Sequence, residues 1–516
     1  MDREDDKTTA ATTREDRVGP DPTGVPAVDA TPGNAAPLTA RDGRAAPPDV
    51  DARSLDPSDW EAFRRLAHQA LDRAIDTMAQ VRDRPAWSAP PMRAPEDAPW
   101  GPTPLAEVCA AIERDVLPYG VGNTHPRFFG WVHGAGTAEG IVAAMYTASM
   151  NANVGGREHA AVHLEREVLG WFKQVVGFPA AASGILLSGS SMATLIALAV
   201  ARHGHPAPET LRIYTSDQAH VSVAKAVRIV GLPPACLVKV RSDAHLRLDV
   251  NACREAVARD RDAGLVPRAV VATAGTASTG AVDPLRAAAE LCTEADLWLH
   301  VDAAIGIGLR LHPALRDRLA GIERADSVAF DAHKWLHVPY DVGCVLIRDA
   351  AAHHAAFVEG AAYLQRAPRG TGAGAPWFCD AGPELSRGFR ALKVWMVLKT
   401  HGLAALGAHV YANCAQAAYL RSLVEACPHT RVMAPSDLAI VCFRCVGAER
   451  DEVDDRHNEE IVMRIQESGV AVPSLARVAG RSVIRVNITN HRTTRADLDL
   501  LFASILEHRA AVARGA

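Results

Sequence analysis

From about residue 126 to residue 400, short apolar runs alternate with helix-patterned stretches, and this alternation narrows the fold more than any other feature. Gly184 to Leu187 is followed by a helical pattern from Met192 to Ala201, and Val270 to Thr273 by one from Leu285 to Ala295. An apolar run without polar alternation suits a strand covered on both faces. A helix between two such strands carries the chain back to start a parallel neighbour. The pattern predicts an α/β domain with a mostly parallel sheet and crossover helices. In such sheets ligands gather beyond the carboxyl ends of the strands.

The flanks read differently. Over 56–125 the pattern is helical: Trp60, Phe63, Leu66 and Leu71, then, after a proline-rich link from Ala89 to Pro104, Leu105, Val108, Ile112 and Val116. A long helix is expected from Arg390 to Thr400. Beyond it, over 401–516, strand-like Leu438 to Phe443 and Val483 to Ile488 flank a helix from Glu459 to Glu467, which predicts a small α+β domain. Residues 1–55 are rich in Ala, Thr, Pro, Gly, Asp and Arg and nearly free of large apolar side chains. Such a tail has too little to bury to offset its ordering entropy, and disorder is expected there.

A net charge of −5 gives no basic footprint for nucleic acid. No uninterrupted apolar run reaches membrane-spanning length, and Met1 to Asp6 does not begin a signal peptide, so a cytoplasmic protein away from membranes is expected. Of the ten cysteines, Cys442 and Cys445 form a CxxC inside an apolar run with no second pair. Structural thiols, not a metal site, are expected there.

Two strings carry chemistry. Asp331-Ala332-His333-Lys334-Trp335 follows the strand-like Ser327 to Phe330, and Asp302 ends the strand-like Leu297 to Val301. A lysine just past one strand and an acid at the end of another suit a pyridoxal phosphate site. The amine would form a Schiff base, and the carboxylate would keep the ring nitrogen protonated so that the ring withdraws electrons. Either string alone also fits a surface turn. Ser188 to Thr194 follows a strand and opens a helix, so its small residues and the helix N-terminus suit a phosphate, as they suit many plain junctions. His220, ending Tyr214 to His220, could stack on a pyridine ring and move protons, or merely cap a helix. Thr276, in the loop Thr273 to Pro284, could donate to a ring hydroxyl or serve its own turn. Arg485 is a charge in an apolar strand and needs an anion, with an internal salt bridge favoured over a substrate carboxylate.

These strings, together with His125 to Gly130, Leu164 to Trp171, Ser216 to His220, His300 to Ala304 and Ser386 to Trp395, stand in one order over about Trp60 to Leu506. In that order they resemble the group II pyridoxal-phosphate-dependent decarboxylases, of which aromatic-L-amino-acid decarboxylase is the best-known type. The resemblance implies the fold-type-I aminotransferase architecture and a homodimer with active sites at the subunit interface. It assigns Lys334 as the Schiff-base lysine, Asp302 as the pyridinium partner and His220 as the stacking histidine. It also implies Ser190 and Ser191 in the phosphate loop, His333 beside the phosphate, Thr276 beside the ring and Ala304 under it. Phe128, Phe129 and Trp131 fall in the segment that lines the family's substrate pocket. The sequence departs from the family at Met192, often Glu, and at Asp331, usually Asn, where a carboxylate would repel phosphate. The family's mobile loop carries a proton-donating tyrosine. Counting back from Phe389 without gaps puts Phe378 there, and Tyr363 is the nearest upstream tyrosine.

The expected function is decarboxylation of an L-amino acid to its amine through a quinonoid intermediate, with an aromatic substrate as first choice. The alternatives are decarboxylation with oxidative deamination to an aldehyde, an acidic or specialised substrate, and a non-catalytic scaffold of the same fold.

Overall fold

A computed structural model of the chain describes residues 54–360, 366–447 and 450–514, so the expected tail falls almost wholly outside the described residues. The chain divides into two units, Met1–Phe63 and Arg64–Ala516, and both sheets belong to the second.

Four helices precede the first strand: α1 (Trp60–Ala79), α2 (Leu105–Asp115), α3 (Glu139–Met150) and α4 (Ala160–Val176). α1 and α2 bury no residue, whereas α4 buries Val162, Val168, Leu169 and Phe172 along one stripe. The large sheet is built from β1 (Ser183–Leu187), β2 (Leu211–Ser216), β3 (Leu237–Val240), β4 (Val266–Thr273), β5 (Trp298–Asp302), β6 (Ser327–Asp331) and β7 (Gly343–Ile347). Helices α5 (Ser190–Arg202), α6 (Val221–Ile229), α7 (Val250–Asp262) and α8 (Leu285–Ala295) connect its strands.

The strand order is β1-β7-β6-β5-β4-β2-β3. β3, β2, β4, β5 and β6 run parallel, and β7 pairs antiparallel with both β6 and β1. This is the mostly parallel α/β sheet expected. Its antiparallel strand follows β6 without a helix between them, so helix–strand alternation gave no sign of it. Every residue of β6 and β7 is buried, as strands covered on both faces require.

After α9 (Ala350–Ala355), the helix expected at Arg390–Thr400 runs on as α10 (Ala391–Ala426). Gly402 inside it is non-helical, with φ 76° and ψ 154°. Glycine takes that φ without a Cβ clash, so the chain bends there and resumes the helix. The chain closes with β8 (Thr430–Val432), β9 (Ile440–Cys445), α11 (Asp451–Glu467), β10 (Ser474–Val478), β11 (Arg481–Asn487) and α12 (Arg495–Ala513). These strands form an antiparallel sheet in the order β10-β11-β9-β8, with α11 packed on β11. Cys442 and Cys445 lie buried in β9 as free thiols, which burial pushes up to about 11 and about 12. Among the described residues no cluster of three His, Cys, Asp or Glu could hold a metal ion, and no helix is long and apolar enough to cross a membrane.

One ion pair crosses the core. Glu165 of α4 and Arg387, just ahead of α10, are fully buried and lie 2.5 Å apart. Arg387 also donates to the carbonyls of Val154 (2.9 Å) and Leu186 (2.6 Å), while Glu165 accepts from the Leu186 N–H at 3.1 Å. The pair therefore ties a helix, strand β1 and the segment entering α10 to one another.

Candidate active site

The loops beyond the carboxyl ends of β1, β2, β4, β5 and β6 surround a cavity of about 500 Å³. Ser190 and Ser191 reach it from the first turn of α5, His220 from the start of α6, Thr273 and Ser278 from β4 and its loop, Asp302 and Ala304 from β5, and Asp331 and Lys334 from β6. Trp131, His133, Tyr340, Arg485 and Ser474 to Arg477 of β10 are further parts of the wall. The phosphate-type turn is close-packed. A Cβ on Gly343 would sit 2.4 Å from the Gly189 Cα, so only glycine lets β7 approach the start of α5.

Lys334 Nζ is 2.8 Å from Asp331 Oδ2, and the other oxygen of Asp331 accepts from the Ser190 N–H at 2.6 Å. Asp302 is buried at the end of β5 and accepts from the Ala304 N–H at 3.1 Å. Burial pushes its carboxyl above the usual carboxylate range. Lys334, the Ala304 N–H and His220 act against that rise, while the Asp331 charge adds to it. His220 caps α6: its Nδ1 accepts from the Ser222 N–H (3.2 Å) and lies 2.8 Å from the Ser222 hydroxyl. A donor at Nδ1 leaves the proton of the neutral ring on Nε2. Capping and facing the cavity are thus compatible for this side chain.

The remaining expected residues lie outside the cavity wall. Thr276 is fully buried, 3.0 Å from the Thr279 hydroxyl, and accepts from the Ala281 N–H at 3.1 Å, so its hydroxyl serves its own turn. His333 stacks on Tyr340 at 4.2 Å between centroids, with Nε2 3.8 Å from Asp331 Oδ1, one layer behind the wall. Phe128 and Phe129 are buried behind it as well; Phe128 stacks at 5.6 Å on His133, which does line the cavity. Phe378 sits in a 3-10 turn (Phe378–Ala381), buried against the Arg387 guanidinium at 5.0 Å. Tyr363 lies outside the described residues. Among residues 366–382 none lines the cavity. That stretch is pinned at Trp377, whose Nε1 donates to Ala373 O at 2.8 Å and whose ring lies under Arg157 at 4.3 Å.

Arg485 corrects the favoured expectation. It makes no ion pair with any described carboxylate. Its Nη1 donates to Trp131 O (2.8 Å) and its Nε to Ser278 O (3.1 Å), and burial lowers it to about 10. Its Nη2 is buried without a hydrogen-bond partner, and so are the Ser190 and Thr273 hydroxyls. A buried polar atom without a partner is unfavourable. All three belong to side chains that line the cavity, so unused hydrogen-bonding capacity lies close behind its wall. Thr273, His133 and Tyr340 were not foreseen; only their nearness to the recognised strings marked them.

A parallel α/β sheet with a lysine, an acid and a histidine at its carboxyl edge, beside a serine-lined helix start, defines a pyridoxal-phosphate enzyme of the fold-type-I class. The pyridoxal-dependent decarboxylase conserved domain matches residues 90–446, and the chain belongs to that family of pyridoxal-phosphate-dependent amino-acid decarboxylases. It is 34% identical over 451 residues to an aromatic-L-amino-acid decarboxylase of Bacillus atrophaeus, covering 85% of this chain and 93% of that protein. It is 30% identical over 460 residues to a phenylacetaldehyde synthase of Arabidopsis thaliana, covering 84% and 93%. A crystal structure of Oryza sativa TDC with PLP and tryptamine superposes with a TM-score of 0.82 at 28% identity, over 89% of this chain and 100% of that one.

Proposed function

We propose that this decarboxylase acts on an aromatic L-amino acid and releases the amine, with Lys334, Asp302 and His220 as its catalytic residues. The observation that carries the assignment is the convergence of those three side chains on one cavity at the strand ends. Bound pyridoxal phosphate supplies a ring that accepts the electron pair left when carbon dioxide departs. Lys334 Nζ is the point of covalent attachment. Asp302, already pushed up by burial, would be the residue to pair with the cofactor's protonated ring nitrogen. Ser190 and Ser191 offer the first turn of α5 to the phosphate, with His333 behind them. Ala304 gives the ring room, and Thr273 offers the hydroxyl that Thr276 keeps within its turn. His220 presents Nε2–H to the cavity and can return a proton to the substrate carbon. Arg485, on the wall and paired with no described carboxylate, would take a substrate carboxylate. Trp131 and Tyr340, both partly exposed at the wall, suit an aromatic side chain.

In Lys334→Ala we expect the visible absorbance of bound cofactor to disappear on dialysis, together with nearly all amine formation. A variant that keeps both sinks the assignment. Carbon dioxide release across a panel of amino acids tests the substrate class, and a clear preference for glutamate or aspartate overturns the aromatic reading. An aldehyde product is the second reading, favoured by Phe378 at the gap-free position of the family's tyrosine and by the similarity to an aldehyde synthase. Ammonia and peroxide in the same reactions report it.

We also assign a homodimer. Ile75, Leu105, Val108 and Ile112 on the first two helices, and Val142, Met145 and Tyr146 on α3, stand exposed, and large exposed apolar side chains on neighbouring turns suit a protein interface. Ten free cysteines support a reducing compartment, hence the cytoplasm.

A further inference from the structure

We infer that Asp331 is a built-in competitor of the cofactor's phosphate, and that its charge sets how tightly the protein holds pyridoxal phosphate. The inference rests on the reading of this cavity as the cofactor site. One carboxylate spans the two groups a phosphorylated aldehyde needs most. Its Oδ1 accepts the Ser190 N–H at 2.6 Å, at the first residue of α5, and its Oδ2 lies 2.8 Å from Lys334 Nζ. The Oδ1 is also packed on the turn itself, 3.4 Å from where a Cβ on Gly189 would stand. Beside it the Ser190 hydroxyl is buried with no partner.

The balance of charge points the same way. Asp302 and Asp331 both line the cavity, and of its lining cations Lys334, Arg477 and Arg485 only Lys334 is paired to either carboxylate. Lys334 Nζ would also be the group that holds the cofactor, so the ion pair with Asp331 competes for the same nitrogen. The field of Asp331 reaches far enough to raise both Asp302 and Tyr340. A phosphate of nearly two negative charges bound at the start of α5 would lie near this carboxylate, which already has His333 Nε2 3.8 Å from its Oδ1. Asparagine at this position would keep an oxygen for the Ser190 N–H, lose the charge and release Lys334 from its ion pair.

The test is the dissociation constant of pyridoxal phosphate for the full-length protein and for Asp331→Asn, read by equilibrium dialysis, with inorganic phosphate as competitor and unphosphorylated pyridoxal as control. Removing one like charge at contact distance should tighten pyridoxal phosphate by about tenfold and make inorganic phosphate a better competitor by a similar factor. Pyridoxal should gain little. Equal or weaker binding of pyridoxal phosphate by the variant overturns the inference. An equal gain for pyridoxal overturns it too, because Asp331 would then act through Lys334 alone. If Asp331→Asn does not fold, Asp331→Ser removes the same charge and keeps a short hydrogen-bonding oxygen. A folded parent protein that binds no pyridoxal phosphate would refute the cofactor-site reading itself. A parent that binds it beside a variant without gain refutes only the role of Asp331.

Discussion

Burial opposes a negative charge on Asp302, and the protein gives it only one backbone N–H to lean on. Lys334 and His220 favour its charge as well, and in the proposed reading a protonated ring nitrogen would add a closer cation. In Asp302→Asn the fold should persist, because the amide still accepts from the Ala304 N–H. Turnover should fall by roughly two to four orders of magnitude, the rate equivalent of about 3–5 kcal/mol for a broken buried ion pair. Measured kcat near that of the parent, with cofactor bound, would remove Asp302 from the mechanism. At this scale the sequence was legible in position: Lys334 and Asp302, singled out by their strand ends, and His220, singled out by the resemblance, line one cavity. It was not legible where direction decides. Thr276 and Thr273 stand on the same strand-end loop, and only the fold shows which hydroxyl its own turn consumes. Arg485 looked like half of a salt bridge because a charge in an apolar strand demands a partner. Two carbonyls meet most of that demand instead, and Nη2 stays buried without a partner.

Among the elements, alternation of apolar runs with helical patterns was enough to expose the parallel part of the sheet. It was silent on β7, which pairs through the backbone in the opposite direction and has no periodicity of its own to reveal that. Nor could a charged string such as Leu164 to Trp171 disclose that Glu165 is fully buried, since its partner lies far along the chain. The Glu165–Arg387 pair has a mechanical consequence. Removing Arg387 leaves an uncompensated carboxylate in the core and frees the carbonyls of Val154 and Leu186. Arg387→Ala should therefore lower stability by about 3–5 kcal/mol, read as a lower urea midpoint. Replacing both charges, as Glu165→Leu with Arg387→Met, should cost less than the single change. A double variant that loses as much as the sum of its parts would show that the two residues are not coupled.

For the whole molecule, acid sensitivity follows from histidines shut away from water in separate places. His300 in β5 lies 2.9 Å from the Ser327 hydroxyl, and His353 in α9 lies 2.6 Å from the Ser183 hydroxyl and 2.8 Å from Ala381 O. Burial lowers His300 to about 3, and lowers His125, His353 and His491 to about 4. In the unfolded chain each takes up a proton near the ordinary value of about 6.5. Between pH 6.5 and 4 the unfolded state therefore binds more protons than the native one, and stability falls as pH falls. Buried carboxylates pull the other way. Asp283, accepting the Thr273 and Leu248 N–H groups, is raised by burial to about 6, so its contribution grows as pH drops below 6. Asp302 and Asp326 are raised as well. The histidines outweigh them because these four and His337 are all displaced well below their ordinary value and their window opens first. Each should lose about 2 kcal/mol of stabilisation by pH 5, at about 1.4 kcal/mol per pH unit. The urea midpoint should therefore drop from pH 7 to pH 5, and His353→Gln should flatten that slope even if it lowers stability at pH 7. Identical parent midpoints at the two pH values would mean that the carboxylates cancel the histidines, and that acid resistance in this fold is governed by the strand ends around Asp283 and Asp302.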